Sequence, residues 1–436
     1  MAAPVIAPHN ESLRKVIAGI LLTIVVTALV TLLVMNFVTG EKKIQQRIEP
    51  LYGASDPQFL RSMGTLLGPA ILAGNRVEAL SNGDEIFPAM LREIRSARRT
   101  ISFETYIYWS GRIGKEFADA LSERARAGVR VHVLLDWVGS GKMDGGALKE
   151  MEASGVQVRK YHPLRWYHIV RMNNRTHRKL LVVDGRVGFT GGVGIADEWS
   201  GHAQNEHHWR DSHFRIEGPA VGEMQAAFMD NWLKTEGEVL HGEGYFPELA
   251  PSGGALGQVF VSSAGGGSES ARLMYLLSIA SARKSVRIAA SYFVPDDLSV
   301  ETLVAARRRG VAIEIVLPGD KIDSRIVRKA SRARWGDLLR AGIEIHEYQP
   351  TMYHCKIMIV DDLWVSVGST NFDNRSFRLN DEANLNVYDG EFALSQVAVF
   401  EADKSRSRRV TLEEWEHRPF QEKLSEHVAA LLRTQL

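Results

Sequence analysis

The sequence has almost no cysteine and almost no net charge. One cysteine occurs among 436 residues, Cys355, so neither an internal disulfide framework nor a cysteine-rich zinc site can form. The 53 Lys and Arg residues balance 52 Asp and Glu residues, which leaves a formal net charge of +1. This balance disfavours nucleic acid as a partner, because sequence-independent binding to nucleic acid requires a strong positive field.

Charge is missing entirely from residues 16–38. As a helix, 23 residues would extend about 34 Å, enough to cross a bilayer, so we expect a transmembrane anchor there. A cleaved signal peptide is the alternative, but its apolar region would be only about 7 to 15 residues long. Basic residues flank the run on both sides, so the positive-inside rule does not fix the orientation.

The remainder of the chain repeats itself weakly. SARRTISFETYIY (96–108) matches SARKSVRIAASYF (281–293), and the elements follow the same order in both halves. Strands alternate with amphipathic helices, which predicts α/β layers around a largely buried sheet. A stretch rich in Gly, Pro and Ser at 242–257 predicts a linker. We therefore expect a first lobe over 60–240 and a second over 255–436.

Two stretches, THRKLLVVD and YHCKIMIVD, share a His, a Lys two places later, four apolar residues and an Asp. Residues i and i+2 of a strand point to the same side, so His177 and Lys179 are expected to share a face, as are His354 and Lys356. The four apolar residues are typical of a strand buried on both faces. Each motif therefore presents an imidazole beside an ammonium.

Each motif ends on an aspartate, Asp184 or Asp361, where a hairpin is expected to turn. The offset of seven residues from the histidine would aim the carboxylate to the other side of a regular strand. We therefore predict a structural role for both. Glu104 on the first strand of the repeat is likewise expected to be a buried structural acid rather than a catalytic one.

Small residues follow each hairpin, and in the second half they include Ser369, with Asn371 two residues later. Two His, two Lys, an amide and close backbone form a set suited to a phosphodiester. The lysines, Ser369 and Asn371 can hold the phosphate oxygens, while one imidazole attacks phosphorus and the other protonates the departing alkoxide. No metal or cofactor is needed, and the residues alone do not decide which imidazole attacks.

The paired motifs resemble the HKD motifs of the phospholipase D superfamily. Together with the anchor, the stretches FETYIYWSG, GFTGGVGIADEW and GSTNFDNRSFRLNDEANL most resemble bacterial cardiolipin synthases. The resemblance implies two similar phospholipase D-like α/β lobes, related by a pseudo-twofold repeat, after an N-terminal transmembrane helix. It also implies a single-pass protein of the bacterial cytoplasmic membrane with anionic phospholipid as its partner. The sequence does not indicate an oligomeric state.

The resemblance also implies roles for individual residues. The first-motif histidine of the family forms a covalent phosphohistidine, which points to His177, and the second acts as acid and then base, which points to His354. A carboxylate behind each ring orients it in the family, and those positions match Asp211 and Glu382. Phosphate binding falls to Lys179, Lys356 and Asn371. The first half departs from the family pattern because Gly194 stands where an Asn often occurs.

Three functions are compatible with this set of residues. The first is a phosphatidyltransferase that uses phosphatidylglycerol as donor and acceptor and releases glycerol. The second is a phospholipase D-type phosphodiesterase that uses water on phospholipid or on nucleic acid. The third is a non-catalytic membrane scaffold, suggested only by Gly194. The anchor and the near-zero net charge disfavour the nuclease, and the intact His and Lys pairs disfavour the scaffold.

Two further features near the motifs have several readings. His202, His207, His208 and His213 are dense enough to suggest a metal site, although solvated loop histidines are the expected reading. Two basic segments, 159–179 and 321–340, precede the motifs and contain aromatic residues. Solvated charged faces would explain them, but we favour a rim that lays the active-site mouth against anionic lipid. Arg165 and Arg171 in the first segment are the residues proposed to test this.

Overall fold

The computed structural model describes residues 9–37, 44, 46–49, 52–163, 173–263 and 269–435. The helices up to the predicted linker are α1 (His9–Phe37), α2 (Pro57–Leu66), α3 (Asn82–Ser96), α4 (Arg112–Arg126), α5 (Gly145–Ala153) and α6 (Ala220–Glu236). The strands of this part are β1 (Leu72–Ser81), β2 (Thr100–Thr105), β3 (Arg130–Asp136), β4 (Gln157–Tyr161), β5 (Arg175–Thr176), β6 (Leu180–Val183), β7 (Val187–Gly191) and β8 (Ser212–Glu217). A short 3₁₀ helix spans Asp197–Trp199.

The second half repeats this order of elements. Its strands are β9 (Ala255–Ser262), β10 (Ser285–Ala290), β11 (Phe293–Val294), β12 (Ala312–Pro318), β13 (Glu344–Tyr348), β14 (Lys356–Val360), β15 (Trp364–Gly368), β16 (Phe372–Asp373), β17 (Asn380–Tyr388) and β18 (Ser407–Val410). Its helices are α7 (Ser270–Ser281), α8 (Asp297–Arg308), α9 (Arg325–Arg332), α10 (Trp335–Arg340), α11 (Asn374–Arg378), α12 (Gly390–Ser405), α13 (Leu412–Glu416) and α14 (Phe420–Ala430).

Within the described ranges, one sheet of 16 strands runs through both halves. Its order is β18-β13-β12-β10-β14-β15-β17-β9-β1-β8-β7-β6-β2-β3-β4, with β5 pairing with β17 off this path. The order on one side of the β9–β1 seam is the reverse of that on the other, which is the pseudo-twofold arrangement implied by the repeat. The expectation of two similar α/β lobes is therefore confirmed, although a continuous sheet joins them. The lobe boundaries themselves stay predictions.

Apolar side chains from both lobes form one core beneath the middle of the sheet. Helix α6 contributes Phe228 and Trp232 to it, and α12 contributes Phe392 and Phe400. Phe214 of β8 packs edge-on against Phe392, with 6.1 Å between the ring centroids. Burial of large aromatic surfaces across the seam disfavours separation of the lobes, because that would return this area to water.

The hairpins predicted after the two motifs are present as β6–β7 and β14–β15. Asp184 and Asp361 lie at the turns with positive φ of 51° and 54°, a conformation that Asp adopts more readily than most residues. The Asp184 carboxylate accepts the backbone N–H groups of residues 98–100 at 2.7–2.9 Å, and Asp361 does the same at residues 283–285. Each carboxylate thus connects its hairpin to the start of the neighbouring strand. These hydrogen bonds all go to backbone N–H groups, which agrees with the structural role predicted for both aspartates.

Helix α1 contains an exposed apolar stretch, Leu13–Leu32, that is long enough to cross a membrane. It covers most of the anchor expected over 16–38, whose last residue lies outside the described residues. No Asp, Glu, Lys or Arg occurs between residues 16 and 38, so no charged side chain opposes insertion of this part of the chain into hydrocarbon.

Candidate active site

The first motif histidine is held by a carboxylate from the second lobe. Strand β5 pairs in parallel with the start of β17, and the backbone N–H of His177 donates to the carbonyl of Asp381 at 2.8 Å. This places His177 Nδ1 at 3.0 Å from each carboxylate oxygen of Glu382. The ring is thereby oriented across the lobe interface.

The second motif shows the same arrangement with the lobes exchanged. Arg210 and Tyr353 form an isolated parallel bridge, and the backbone N–H of His354 donates to the carbonyl of Arg210 at 2.7 Å. His354 Nδ1 lies 2.7 Å from Asp211 Oδ2. Sequence analysis placed a carboxylate behind each ring but did not show that each comes from the opposite lobe.

Both imidazoles line one cleft of about 750 Å³, the central cleft, whose walls also include Lys179, Asn371 and Gly194. With Nδ1 engaged by Glu382, His177 has Nε2 directed to a substrate, whereas His354 Nε2 lies 3.3 Å from the Lys356 ammonium. We expected both His–Lys pairs to lie within strands, but only Lys356 does, as the first residue of β14. His177 and Lys179 precede β6, and His354 precedes β14. His177 and Lys179 nevertheless line the same cleft.

Different groups support the two carboxylates. Ser369 donates to Glu382, whereas Asp211 accepts the indole N–H of Trp199 at 2.8 Å. The position that corresponds to Ser369 in the first half is Gly192, where an added Cβ would lie 2.2 Å from Asp211. Ser369 is fully buried behind Glu382 and is not among the residues that line the central cleft, so we assign it to the support of Glu382, and its direct contact with phosphate stays a prediction.

The two lysines are buried beside the rings. Lys179 Nζ donates to the carbonyl of His177 at 2.7 Å. Lys356 Nζ donates to the carbonyl of His354 at 2.8 Å and to Ser291 Oγ at 2.7 Å. Ser291 in turn donates to Asn371 Oδ1 at 2.7 Å, so the amide N–H₂ of Asn371 is directed away from that bond. Ser291 was not among the predicted site residues, although it lies in the quoted SARKSVRIAASYF stretch.

Aromatic rings, which sequence analysis did not assign to the site, wall both histidines. Tyr106 meets His177 edge-on with 5.2 Å between centroids, and Trp199 meets His354 edge-on at 5.3 Å. Trp209 lies 5.5 Å from the His354 ring. Tyr106 and Trp199 occur in the quoted FETYIYWSG and GFTGGVGIADEW stretches, which was the available signal, but only the folded chain places these rings against the histidines.

Gly194 lines the central cleft at the position that corresponds to Asn371. A Cβ there would lie 2.8 Å from the Cβ of Ile107 and 3.2 Å from the Trp199 ring. The space that an amide side chain would need is therefore filled by apolar atoms. The two halves of the cleft are unequal at this point, with an amide donor on one side only.

Burial sets the protonation states of the two histidines and of Lys179 in the central cleft. It lowers the pKa of His177 to about 4 against the opposing charge of Glu382, and that of His354 to about 3 with help from the Lys356 ammonium. It also lowers the pKa of Lys179 to about 7, although Glu382 opposes the change. Both imidazoles are thus neutral at pH 7, as a nucleophile requires, and Lys179 is near its midpoint.

Several other candidates lie away from this chemistry. Glu104 is fully buried, accepts from Asn231 at 2.8 Å and bonds to Thr176, and burial raises its pKa to about 7. In the histidine group, His213 is buried in β8 whereas His202 is exposed and contacts Asp84 at 3.2 Å. These histidines do not converge on one point.

A family-model match places this chain among proteins with a PLD-like domain. The computed structure superimposes on phosphatidylserine synthase of Haemophilus influenzae with a TM-score of 0.68, covering 87% of this chain and 100% of that one at 14% sequence identity. A similarity at that identity concerns the fold alone. A family model described as cardiolipin synthase, PLD-like domain, matches residues 90–232 and 275–404, one segment in each half.

Curated sequences narrow the family further. A cardiolipin synthase of Geobacillus kaustophilus is 36% identical over 369 residues, which cover 84% of this chain and 73% of that protein. The major cardiolipin synthase ClsA of Bacillus subtilis is 34% identical, with 82% of this chain and 75% of that protein covered. The chain belongs to the cardiolipin synthase family of phospholipase D-like proteins.

Proposed function

We propose that this chain is a membrane-bound cardiolipin synthase, a phosphatidyltransferase that uses phosphatidylglycerol as both donor and acceptor. The observation that carries the proposal is the pair of imidazoles, one from each lobe, that line a single cleft, each backed by a carboxylate of the opposite lobe. Two histidines with separate supports can serve separate roles, one as nucleophile and one as proton donor.

In the first half-reaction, His177 Nε2 attacks the phosphorus of one phosphatidylglycerol, and the bond from phosphorus to the glycerol headgroup breaks. The anionic phosphate in the cleft raises the pKa of His354 so that its ring becomes protonated, and His354 gives this proton to the departing glycerol oxygen. Lys179, Lys356 and Asn371 oppose the negative charge that grows on the phosphate oxygens. Glu382 stabilises the positive charge that forms on the His177 ring.

In the second half-reaction, a hydroxyl of a second phosphatidylglycerol replaces glycerol in the cleft. His354, now neutral, takes the proton of this hydroxyl as its oxygen attacks the phosphohistidine. The bond from phosphorus to His177 breaks, and cardiolipin leaves. Two phosphatidylglycerols thus yield one cardiolipin and one glycerol, and His177 and His354 return to their starting states.

The alternatives differ in the acceptor. With water in place of the second lipid, the same intermediate gives phosphatidic acid, and a nuclease would use the same groups on nucleic acid. Family membership and the apolar helix α1 favour lipid over nucleic acid. The scaffold hypothesis was suggested only by Gly194. Apolar packing around this residue explains why a glycine stands there, so the glycine does not argue for loss of activity.

The test of the proposed function is a product analysis. Purified full-length protein in phosphatidylglycerol vesicles is expected to yield cardiolipin and free glycerol in equal amounts, measured by mass spectrometry. Phosphatidic acid without cardiolipin would establish the hydrolase instead. The His177→Ala variant serves as the blank for both products.

Lys179 makes phosphate binding dependent on pH. Because the pKa of Lys179 is about 7, the ammonium loses its proton as the pH rises from 7 to 9. A bound phosphate anion favours the charged ammonium, so binding is linked to protonation of Lys179. The affinity for a hydrolysis-resistant phosphonate analogue of phosphatidylglycerol should therefore fall by up to about tenfold per pH unit above 7. Calorimetric titration measures it.

The control for this pH dependence is Lys179→Arg, which keeps its charge throughout. Its affinity should stay level between pH 7 and 9, even if it is weaker at pH 7. A wild-type affinity that does not change over this range would contradict the assignment of phosphate binding to Lys179.

The proposed membrane location rests on α1 and on a second surface beside the cleft. Helix α14 exposes one apolar face at helical spacing, with 77% of Phe420, 54% of Leu424, 58% of Val428 and 80% of Leu431 accessible. A groove separates this face from α9, which contributes Arg325, Ile326 and Lys329. Apolar side chains flanked by cations fit the surface of an anionic bilayer.

This surface adjoins the central cleft, because Val327 of α9 and Gln435 beyond α14 line the cleft wall. It covers part of the second basic segment that we expected to rim the mouth. In the first segment, Arg175 and Lys179 line the cleft, whereas Arg165 and Arg171 lie outside the described residues. We propose that α9 and α14 rest on the lipid from which the substrate is drawn, with α1 as the single transmembrane span.

Leu424→Glu should reduce turnover in phosphatidylglycerol proteoliposomes by about tenfold or more, because it removes an apolar contact and adds a charge of the same sign as the lipid. Turnover of a dispersed short-chain substrate should change little. Leu394→Glu, the same substitution at an exposed position of α12 outside this surface, is the matched control. Equal losses on both substrates would show that α14 supports the fold and not the docking.

A further inference from the structure

If two phosphatidylglycerols react, the cleft has to hold two phosphates at once. One lies between the histidines and reacts. The other belongs to the acceptor lipid and is separated from the attacking hydroxyl by the length of a glycerol unit. The inference below rests on the proposed function and concerns where the second phosphate binds.

Arg175 is a buried cation that faces the central cleft. Its side chain lines the cleft and only 9% of the residue is exposed. Its Nη1 has no hydrogen-bond partner in the part of the chain that the structure describes. The guanidinium lies over the Trp137 ring, 5.3 Å from its centroid, which fixes the plane of the group and leaves its edge for a ligand.

A second guanidinium lies on the same wall. Arg375 lines the cleft and donates to neutral oxygens, those of Asn173 at 3.1 and 3.3 Å and the carbonyl of Gln435 at 3.2 Å. Arg375 also lowers the pKa of Arg175, after the larger effect of burial, because the two like charges repel. An anion between them would remove that repulsion.

The carboxylates nearby already have partners. Asp136, which attracts Arg175, accepts the backbone N–H groups of Val138 and Gly139 at 2.9 and 3.0 Å and also that of Thr176. Burial raises the pKa of Asp136 to about 6, so its charge is easily neutralised.

Two further acids face the same wall. Asp373 accepts the backbone N–H of Ser376 at 2.8 Å as the N-cap of α11, and burial raises its pKa to about 6. Asp323 accepts the Tyr292 hydroxyl at 2.7 Å. None of the three carboxylates forms an ion pair with either arginine within the described ranges, which leaves both guanidinium groups able to bind an added anion.

We propose that Arg175 and Arg375 bind the phosphate of the acceptor lipid. Arg175 begins β5 two residues before His177, and both side chains line the central cleft; two residues of extended chain place their backbones about 7 Å apart. A phosphate on Arg175 places the glycerol hydroxyl of the same lipid toward the phosphohistidine. The planar guanidinium can hold two phosphate oxygens at once, which orients the lipid as well as attracting it.

Competition between acceptors tests this proposal. In phosphatidylglycerol vesicles that also contain ethanol, the intermediate partitions between a lipid acceptor that carries a phosphate and two acceptors, ethanol and water, that do not. Arg175→Gln should lower the ratio of cardiolipin to phosphatidylethanol plus phosphatidic acid by about tenfold or more, the effect expected for losing a charged hydrogen bond. Arg375→Gln should lower it in the same direction.

The ratio is internal to each sample, so a partly folded variant does not mimic the effect. Arg112→Gln, an exposed arginine paired only with Glu116, should keep the wild-type ratio. A ratio that stays unchanged in both Arg175→Gln and Arg375→Gln would overturn the inference and leave the proposed function standing. Wild-type protein that forms no cardiolipin at all would overturn both.

Discussion

His177→Ala should abolish the covalent lipid–protein intermediate and lower turnover by about 10⁴-fold or more, because no other group replaces the lost nucleophile. The measurement is acid quenching after mixing with radiolabelled phosphatidylglycerol, followed by counting of label on the protein. His354→Ala should still form labelled protein, but slowly, because the glycerol oxygen then leaves without a proton.

A donor with a better leaving group separates the two roles. With a phosphatidyl p-nitrophenyl ester, whose leaving group needs no proton, His354→Ala should recover rapid labelling, whereas His177→Ala should not. Turnover of the intermediate in His354→Ala stays slow, since the acceptor hydroxyl lacks a base. Label that persists in His177→Ala with either donor would show that the roles of the two histidines are assigned wrongly.

The second large effect is expected at the carboxylates. Glu382→Gln and Asp211→Asn keep the size of the side chain but remove the charge that holds the imidazole tautomer and stabilises the imidazolium. We expect each to lower turnover by about 10² to 10⁴-fold, on the scale of other histidine–carboxylate pairs. Steady-state kinetics with phosphatidylglycerol measures it, and Glu116→Gln on the exposed surface is the control.

The cross-lobe pairing makes a sharper prediction about which defect can be repaired. Asp211 contacts His354, so the labelling defect of Asp211→Asn should be relieved by the p-nitrophenyl donor. Glu382 contacts His177, so the defect of Glu382→Gln should remain with that donor. If the better leaving group rescued Glu382→Gln and not Asp211→Asn, the pairing of carboxylates with roles would have to be reversed.

Local sequence patterns sufficed for the lobes and for the two motifs. The buried strands β6 and β14 each contain four consecutive apolar residues, and an Asp–Gly pair marks the turn at Asp184. The uncharged run at residues 16–38 likewise predicted the long apolar helix α1. Each of these features depends on neighbours in the chain, so the sequence was enough.

Contacts between distant segments could not be read in that way. The pairing of His177 with Glu382 depends on β5 joining β17, two segments more than 200 residues apart, and a periodic pattern carries no information on which segments meet. Ser369 was assigned to phosphate because its place in the motif resembled a ligand position. The fold buries it against Glu382.

The sequence also did not indicate that different side chains support the two carboxylates. Trp199 supports Asp211 where Ser369 supports Glu382, and Ile107 fills the space beside Gly194. These differences between the halves depend on the space available around each side chain in the folded protein. The repeat predicted equivalent halves, and the structure has two halves that reach similar geometry through different side chains.

A crystal structure with vanadate tests the central claim most directly, since this ion can take the five-coordinate geometry of phosphorus under attack. One vanadate is expected in the central cleft, bonded to His177 Nε2, with His354 Nε2 within hydrogen-bond distance on the opposite side and the Lys179 ammonium on an equatorial oxygen. Two vanadates in separate cavities, each with a single histidine, would contradict the account.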